Sequence, residues 1–190
     1  MLEQIAIKIS KESGKDQDVI LYGLTILTNT VMGYLLLIIT SYFFGWAKVA
    51  LAAALTASAF RIFTGGVHAK TNVRCIGNGA LIFNFIAFAA LIFSEFISFN
   101  LLKFTVLLSG IVAFIIILLL APVDVPEKPI DSKLQKNVLK LLSLLLCLFW
   151  IYVAFYYTEY LSKDIILAST LGLFWQMLTL TNFLRLVKLI

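Results

Sequence analysis

The sequence predicts an all-α polytopic membrane protein, with about six transmembrane helices preceded by a short N-terminal amphipathic helix. Composition is the first observation: of 190 residues, 62% are hydrophobic and 13% are charged, against about 25% charged in soluble domains. The second observation is that the apolar residues fall in six runs, each close to the roughly 20 residues that a spanning helix needs. A chain of this length has too few polar residues to cover such runs in water.

Residues 1–16 are expected to form a helix that lies on the cytoplasmic surface of the membrane and ends near Gly14. Apolar side chains recur along it at i, i+3, i+4 and i+7, which is one helical stripe: Leu2, Ile5, Ala6 and Ile9. A polar tail without fixed structure is the alternative. The segment is too acidic for a signal peptide, and the apolar run behind it is too long.

Residues 17–190 form the predicted transmembrane domain. Its six spans have the approximate bounds 19–44, 46–63, 77–98, 101–121, 138–160 and 164–186. The second span is the weakest of the six, because it is rich in alanine and only marginally long enough to cross a bilayer. A short or tilted span is the alternative there.

The connections between the spans predict the orientation of the chain. The longer polar loops, 61–75 and 122–136, lie on the same side of the membrane as both termini, and short links lie on the other side. All Lys and Arg residues fall on the side of the termini except three: Lys48, Lys103 and Lys163. The positive-inside rule therefore predicts that both termini and both long loops are cytoplasmic.

The polar loop 61–76, between the second and third spans, is the candidate catalytic segment. It contains the chain's only histidine, His68, and one of its two cysteines, Cys75. The adjacent glycines Gly65 and Gly66 interrupt the helical pattern and tolerate positive φ, so we expect the chain to turn there. A cysteine and a histidine in one short loop are typical of a nucleophile and its general base.

Cys75 is expected in the first turn of the third span, with Asn72 as the N-cap. The partial positive charge of a helix N-terminus and the neighbouring Arg74 both favour the thiolate, which is the reactive form of cysteine. In one continuous helix the Cα atoms of His68 and Cys75 would lie about 10.5 Å apart, so a direct pair requires the loop to fold back. An inert cysteine and a solvated histidine are the alternative interpretation.

Two segments resemble those of a known family. The stretch "RIFTGGVHAKTNVRC", residues 61–75, resembles the core motif of the AgrB-like membrane peptidases, the accessory gene regulator B family. The stretch "APVDVPEKPI", residues 121–130, resembles a second family segment. The resemblance implies an enzyme of the bacterial plasma membrane that removes the C-terminal tail of a small AgrD-like precursor peptide. The retained part is held as a thioester on the cysteine and is then cyclised to a thiolactone or lactone for quorum sensing.

The same resemblance implies that Cys75 is the nucleophile, that His68 is the base, and that the protein forms a homodimer. Candidates for binding the precursor are basic residues of the two cytoplasmic loops: Arg61, Lys70, Arg74 and Lys128. Asn78 follows Cys75 by three residues on the same helix face and is a candidate donor to the oxyanion. The alternative for each of these residues is an ordinary positive-inside or interfacial side chain.

Several other functional classes are disfavoured. The net charge of +5 includes no dense basic run, so no nucleic-acid partner is predicted. One histidine and two distant cysteines cannot build a metal site, and no phosphate-binding glycine-rich loop occurs, so we predict neither a metal nor a cofactor. The middle of each span lacks the charged residues that ion-coupled transporters use. A non-catalytic peptide exporter or channel, or a membrane scaffold, is the alternative function.

Polar residues inside the spans are expected to hold helices together. The alternative is that they line a groove that binds a peptide. The sixth span carries small and polar residues at helical spacing: Ser169, Gly172, Gln176 and Thr179. Asn29 and Asn84 are further intramembrane amides. Cys147 lies inside an apolar run, so we expect it to be structural and expect no disulfide.

Overall fold

Almost every residue that the structure describes is helical. The computed structural model describes residues 2–66, 71–123 and 132–181. Seven α-helices occur in these ranges: α1 (Leu2–Ser13), α2 (Gln17–Phe43), α3 (Ala47–Thr64), α4 (Asn72–Phe96), α5 (Phe99–Leu120), α6 (Lys133–Tyr156) and α7 (Lys163–Leu180). A 3₁₀ turn, Tyr157–Glu159, follows α6, and the same ranges contain one isolated β-bridge and no strand. The predicted all-α class is confirmed.

Among the residues that the structure describes, five helices, α2 to α6, are long and apolar enough to cross a membrane. The chain is therefore a polytopic membrane protein. The alanine-rich α3, predicted to be the weakest span, is among the five. The described part of α7 does not belong to this group, because polar side chains lower the mean hydropathy of its 18 residues.

α1 is the predicted amphipathic helix rather than a polar tail. It packs against α2 and buries Ala6 completely. It ends just before Gly14, whose φ of +67° is a conformation that glycine adopts without strain. Ile5 and Ile9 of the predicted stripe remain exposed, which is typical of a helix that lies against a lipid surface.

α7 lies at the centre of the bundle and packs against α3, α4 and α5. More than half of its residues are buried. Gly172 allows a close approach to α3, because a Cβ at this position would overlap the backbone of Ala53. Ser169 shares a hydrogen bond of 2.8 Å with Thr56 of α3 and accepts another of 2.9 Å from the indole N–H of Trp150 on α6. Because α7 faces protein rather than lipid, its polar residues can be satisfied by neighbouring helices.

The intramembrane asparagines also join helices, as predicted. Asn84 of α4 donates to Thr40 of α2 at 2.9 Å and accepts from the indole N–H of Trp46 at 2.9 Å. Asn29 of α2 donates to Asn72 at the start of α4 at 3.0 Å. Across the described ranges, no buried side-chain nitrogen or oxygen lacks a hydrogen-bond partner. These contacts favour helix packing over a groove lined by polar groups.

Cys147 is a packing residue. It is fully buried, and its Sγ lies 3.6 Å from the carbonyl oxygen of Gly110 on α5. α5 and α6 approach closely at this level, because a Cβ on Gly110 would overlap the side chain of Ile151. Neither Cys147 nor Cys75 forms a disulfide, as predicted.

Candidate active site

The first turn of α4 contains Cys75, as predicted, but Thr71 caps this helix rather than Asn72. Thr71 has extended backbone angles, and its Oγ1 accepts a hydrogen bond from the N–H of Arg74 at 3.3 Å. Asn72 is the first helical residue, and its Oδ1 accepts from Asn29 of α2 instead. The prediction of Asn72 as the N-cap is therefore wrong by one residue, because two residue types that cap helices stand side by side here.

The helix extends beyond the approximate membrane span 77–98 at its N-terminal end, and this first turn is polar. Cys75 is partly buried, whereas Cys147 is fully buried. The N–H of Cys75 donates to the carbonyl of Thr71 at 3.0 Å, so this group is not available to an oxyanion. The N–H groups of Asn72 and Val73 precede the first intrahelical hydrogen bond and are the remaining backbone donors at this helix end.

The end of α3 is the second component of the site, and we call residues 64–66 the Gly-Gly turn. The N–H of Gly65 donates to the carbonyl of Arg61 at 3.0 Å. Gly65 has a φ of +69° and Gly66 a φ of +136°, values that strain any residue with a Cβ. The turn predicted at these two glycines is confirmed.

Val123 connects the start of the second loop to the Gly-Gly turn. Its N–H donates to the carbonyl of Thr64 at 2.9 Å, and it forms an isolated parallel bridge with Gly65. A Cβ on Gly65 would lie 2.7 Å from the carbonyl oxygen of Val123. The two segments that resemble family motifs thus meet in space. No local pattern in the sequence signals this contact, because backbone pairing between distant segments depends on the whole fold.

α7 supports the Gly-Gly turn through Gln176 and Thr179. The Gln176 Nε2 donates to the carbonyl of Gly65 at 2.8 Å and to the Oγ1 of Thr64 at 3.1 Å. Gln176 is only 1% exposed. Thr179 packs against Gly66, where an added Cβ would lie 2.8 Å from the threonine Oγ1. The polar stripe of the sixth predicted span therefore contacts not only α3 but also the turn that follows it.

Arg61 lies in the last turn of α3, just before the Gly-Gly turn. Its Nη1 is 3.5 Å from the Oε1 of Gln176, and its guanidinium lies within electrostatic range of the Cys75 thiol and of the Tyr22 hydroxyl on α2. The guanidinium is therefore a positive charge in the surroundings of the Cys75 thiol. Tyr22 had no distinguishing signal in the sequence, because tyrosines are common near the ends of membrane spans.

Arg74 and Asn78 are the other candidates on α4. Arg74 is exposed in the first turn, one residue before Cys75. Asn78 is half-buried, and its side chain forms no hydrogen bond among the described residues. Its amide is therefore free to donate to a bound group.

The remaining candidates, His68, Lys70 and Lys128, lie outside the described residues, and their roles stay predictions. The structure therefore describes the cysteine side of the proposed pair. Within residues 2–66, 71–123 and 132–181, no group of three or more His, Cys, Asp or Glu residues could hold a metal ion.

Comparison with known proteins identifies similar chains. A sequence model described as accessory gene regulator B matches residues 2–180. The AgrB-like protein 2 of Clostridium perfringens strain 13 is 31% identical over 190 residues, which cover 93% of this chain and 88% of that protein. An AgrB-like protein of Clostridium perfringens strain SM101 is 30% identical with the same coverage. No solved structure matches the chain significantly.

Proposed function

The chain belongs to the accessory gene regulator B family, and from this membership we propose that it is a membrane-embedded cysteine endopeptidase. The family supports a role in processing the accessory gene regulator peptide, with an AgrD-like precursor as the partner. The enzyme cleaves the C-terminal tail from this precursor through a thioester and promotes cyclisation of the retained part. The product is a thiolactone or lactone that serves quorum sensing.

The position of Cys75 is the observation that carries the proposal. Its thiol is partly exposed in the first turn of α4, with the guanidinium of Arg61 within electrostatic range. A helix N-terminus and a neighbouring cation are the surroundings that activate a cysteine. Cys147, by contrast, is buried among α5 and α6 and has no access to a peptide.

In the first step, the Cys75 thiolate attacks the carbonyl carbon at the cleavage site of the precursor. A sulfur–carbon bond forms, and the peptide carbon–nitrogen bond breaks. His68 accepts the thiol proton and donates it to the nitrogen of the departing tail. The precursor's N-terminal part is then a thioester on Cys75.

In the second step, a thiol or hydroxyl side chain within the precursor attacks the thioester carbonyl. The new ring bond forms, the sulfur–carbon bond to Cys75 breaks, and the nucleophile's proton passes through His68 to regenerate the thiol. Holding the two reacting groups in one acyl-enzyme makes ring closure intramolecular and therefore favourable. Limited water access at the edge of the bilayer protects the thioester from hydrolysis.

The developing oxyanion requires hydrogen-bond donors close to Cys75. The backbone N–H groups of Asn72 and Val73 at the start of α4 are suitable donors. The Asn78 amide, which has no partner in the part of the chain that the structure describes, is a third. We assign the oxyanion to this set of donors.

Basic residues near the site bind the precursor, whose tail is expected to be acidic. Arg74 is exposed beside Cys75, and Lys70 and Lys128 belong to the two cytoplasmic loops. Arg61 contributes its positive charge closer to the thiol. Both termini and both loops face the cytoplasm of a bacterial cell, where a precursor is synthesised, and the protein acts in the plasma membrane as a homodimer.

Mass spectrometry of a candidate precursor incubated with the protein in lipid vesicles tests this function. A small cysteine-containing peptide encoded beside the gene is the substrate to use. We expect a released C-terminal tail and a cyclic product that has lost the elements of water relative to the hydrolysed peptide. Movement of the intact precursor into the vesicles without loss of its tail would instead support an exporter.

A further inference from the structure

We propose that Gln176 is a positioning residue for the proposed reaction, holding the Gly-Gly turn and Arg61 in fixed relation to Cys75. The inference rests on the proposed function and extends it to α7, a helix that contributes no residue to the family-like segments. The side-chain amide of Gln176 forms hydrogen bonds with the end of α3 and with the guanidinium of Arg61.

Both polar atoms of the Gln176 side-chain amide form hydrogen bonds. Nε2 uses its two hydrogens on Gly65 O at 2.8 Å and Thr64 Oγ1 at 3.1 Å, and Oε1 accepts from Arg61 at 3.5 Å. A side chain that is 1% exposed cannot exchange these partners for water. Loss of one partner therefore leaves a buried polar group unsatisfied, which is costly.

The contact with Gly65 controls the direction of the chain after α3. The two positive φ values at Gly65 and Gly66 are backbone conformations that need support from surrounding structure. That support comes from two sides, Gln176 on α7 and Val123 at the start of the second loop. His68 follows two residues after the Gly-Gly turn in the sequence, so the segment that carries the proposed base starts from the peptide that Gln176 holds.

The contact with Arg61 controls the charge near the nucleophile. The guanidinium lies within electrostatic range of Cys75. On α7, the Oε1 of Gln176 accepts a hydrogen bond from this guanidinium. A long side chain such as arginine has many rotamers, so an acceptor that selects one of them keeps the positive charge near the thiol. Gln176 thus acts on the surroundings of the proposed nucleophile without touching the substrate.

Alkylation of Cys75 by iodoacetamide is the first test, because it does not depend on a precursor. All proteins carry Cys147→Ala, which leaves Cys75 as the single cysteine. We expect Gln176→Met to slow alkylation at neutral pH by about two- to fivefold, the effect of weakening one solvent-accessible charge interaction. Loosened packing alone would have the opposite effect, because it exposes the thiol and speeds alkylation.

Ser169→Ala is the matched control. Ser169 lies on α7, is polar and joins α7 to α3 and α6, but it does not contact the Gly-Gly turn or Arg61. We expect it to alkylate at the wild-type rate. A rate for Gln176→Met that equals or exceeds the wild-type rate, or an equal slowing in Ser169→Ala, would overturn the proposal.

Gln176→Glu guards against a misfolded methionine variant and tests the Gly65 contact. A carboxylate keeps the side-chain length and an acceptor for Arg61, but it cannot donate to Gly65, and its negative charge offsets the positive charge of the guanidinium. We expect alkylation to slow at least as much as in Gln176→Met, and kcat for cleavage of the candidate precursor to fall by about 10- to 100-fold, with KM little changed. Cleavage at the wild-type rate would contradict the role of the Gly65 contact. A wild-type protein that cleaves no precursor would instead refute the proposed function, and the alkylation result would still decide the Arg61 contact.

Discussion

The reactivity proposed for Cys75 depends on side chains from several helices. α4 supplies the helix N-terminus and the Thr71 cap, α3 supplies Arg61, and α7 supplies the glutamine that contacts Arg61. The sequence predicted the position of Cys75 in the first turn, because the glycine pair, the capping residues and the return of apolar residues are all local signals. It did not predict which helix supports Arg61, because that depends on how distant spans pack.

At the scale of single residues, the prediction concerns replacement of the proposed base. We expect His68→Ala to lower the rate of precursor cleavage by roughly 10²–10⁴-fold, the usual effect of losing a general base. Raising the pH forms the thiolate without a base, so it should partly restore His68→Ala and never Cys75→Ala. Cleavage assays in vesicles across a pH series measure this.

The control for the histidine variant is Cys147→Ala, which removes a buried thiol far from the proposed chemistry and should retain most activity. A histidine variant with wild-type cleavage at neutral pH would show that another group accepts the proton. Equal losses in Cys147→Ala and Cys75→Ala, at equal expression, would show that the nucleophile is misassigned.

At the scale of the helices, α7 explains where sequence reasoning was incomplete. Its small and polar stripe predicted helix packing correctly, and Ser169, Gly172 and Gln176 each contact α3 or its end. The stripe could not indicate that α7 is the central helix, because periodicity identifies a contacting face but not the partner. The pairing of Val123 with Gly65 was hidden for the same reason.

The contact between α7 and α3 gives a stability prediction. A Cβ at Gly172 would overlap the Ala53 backbone, which cannot move without shifting the whole of α3. We expect Gly172→Ala to lower the free energy of unfolding by about 1–3 kcal/mol, the usual cost of overpacking. Thermal unfolding in detergent measures the change.

Gly79→Ala on α4 is the matched control, because a Cβ there has open space around it. Alanine is the better helix former by about 1 kcal/mol, so this variant should be as stable as the wild type or more so. Equal stability of the Gly172 and Gly79 variants would contradict the close packing of α7 on α3.

At the scale of the whole molecule, composition alone predicted the all-α membrane class and most of the spans. Hydropathy identifies spans because lipid is an apolar solvent, so a helix that crosses it needs a long run of apolar side chains. Hydropathy does not show that α7 is packed inside the bundle, or that α4 begins in a polar turn ahead of its apolar run. The first turn of α4 is the turn that carries the proposed nucleophile.

Orientation is the prediction at this scale. The distribution of Lys and Arg predicts that position 133, at the start of α6, and position 70 face the cytoplasm, whereas Lys48 at the start of α3 faces outward. In a cysteine-free background, Lys133→Cys and Lys70→Cys should resist a membrane-impermeant thiol reagent in intact cells. Lys48→Cys should react. Labelling of either cytoplasmic position from outside would contradict this topology.

A covalent intermediate on Cys75 is the most direct test of the central claim. The wild-type protein should be mixed with the candidate precursor, quenched in acid after a short time and digested for mass spectrometry. We predict an adduct in which the precursor's N-terminal part is joined to Cys75 by a bond that hydroxylamine cleaves, and no adduct with Cys75→Ala. Tail release without any thioester on Cys75, or tail release by Cys75→Ala, would contradict the account.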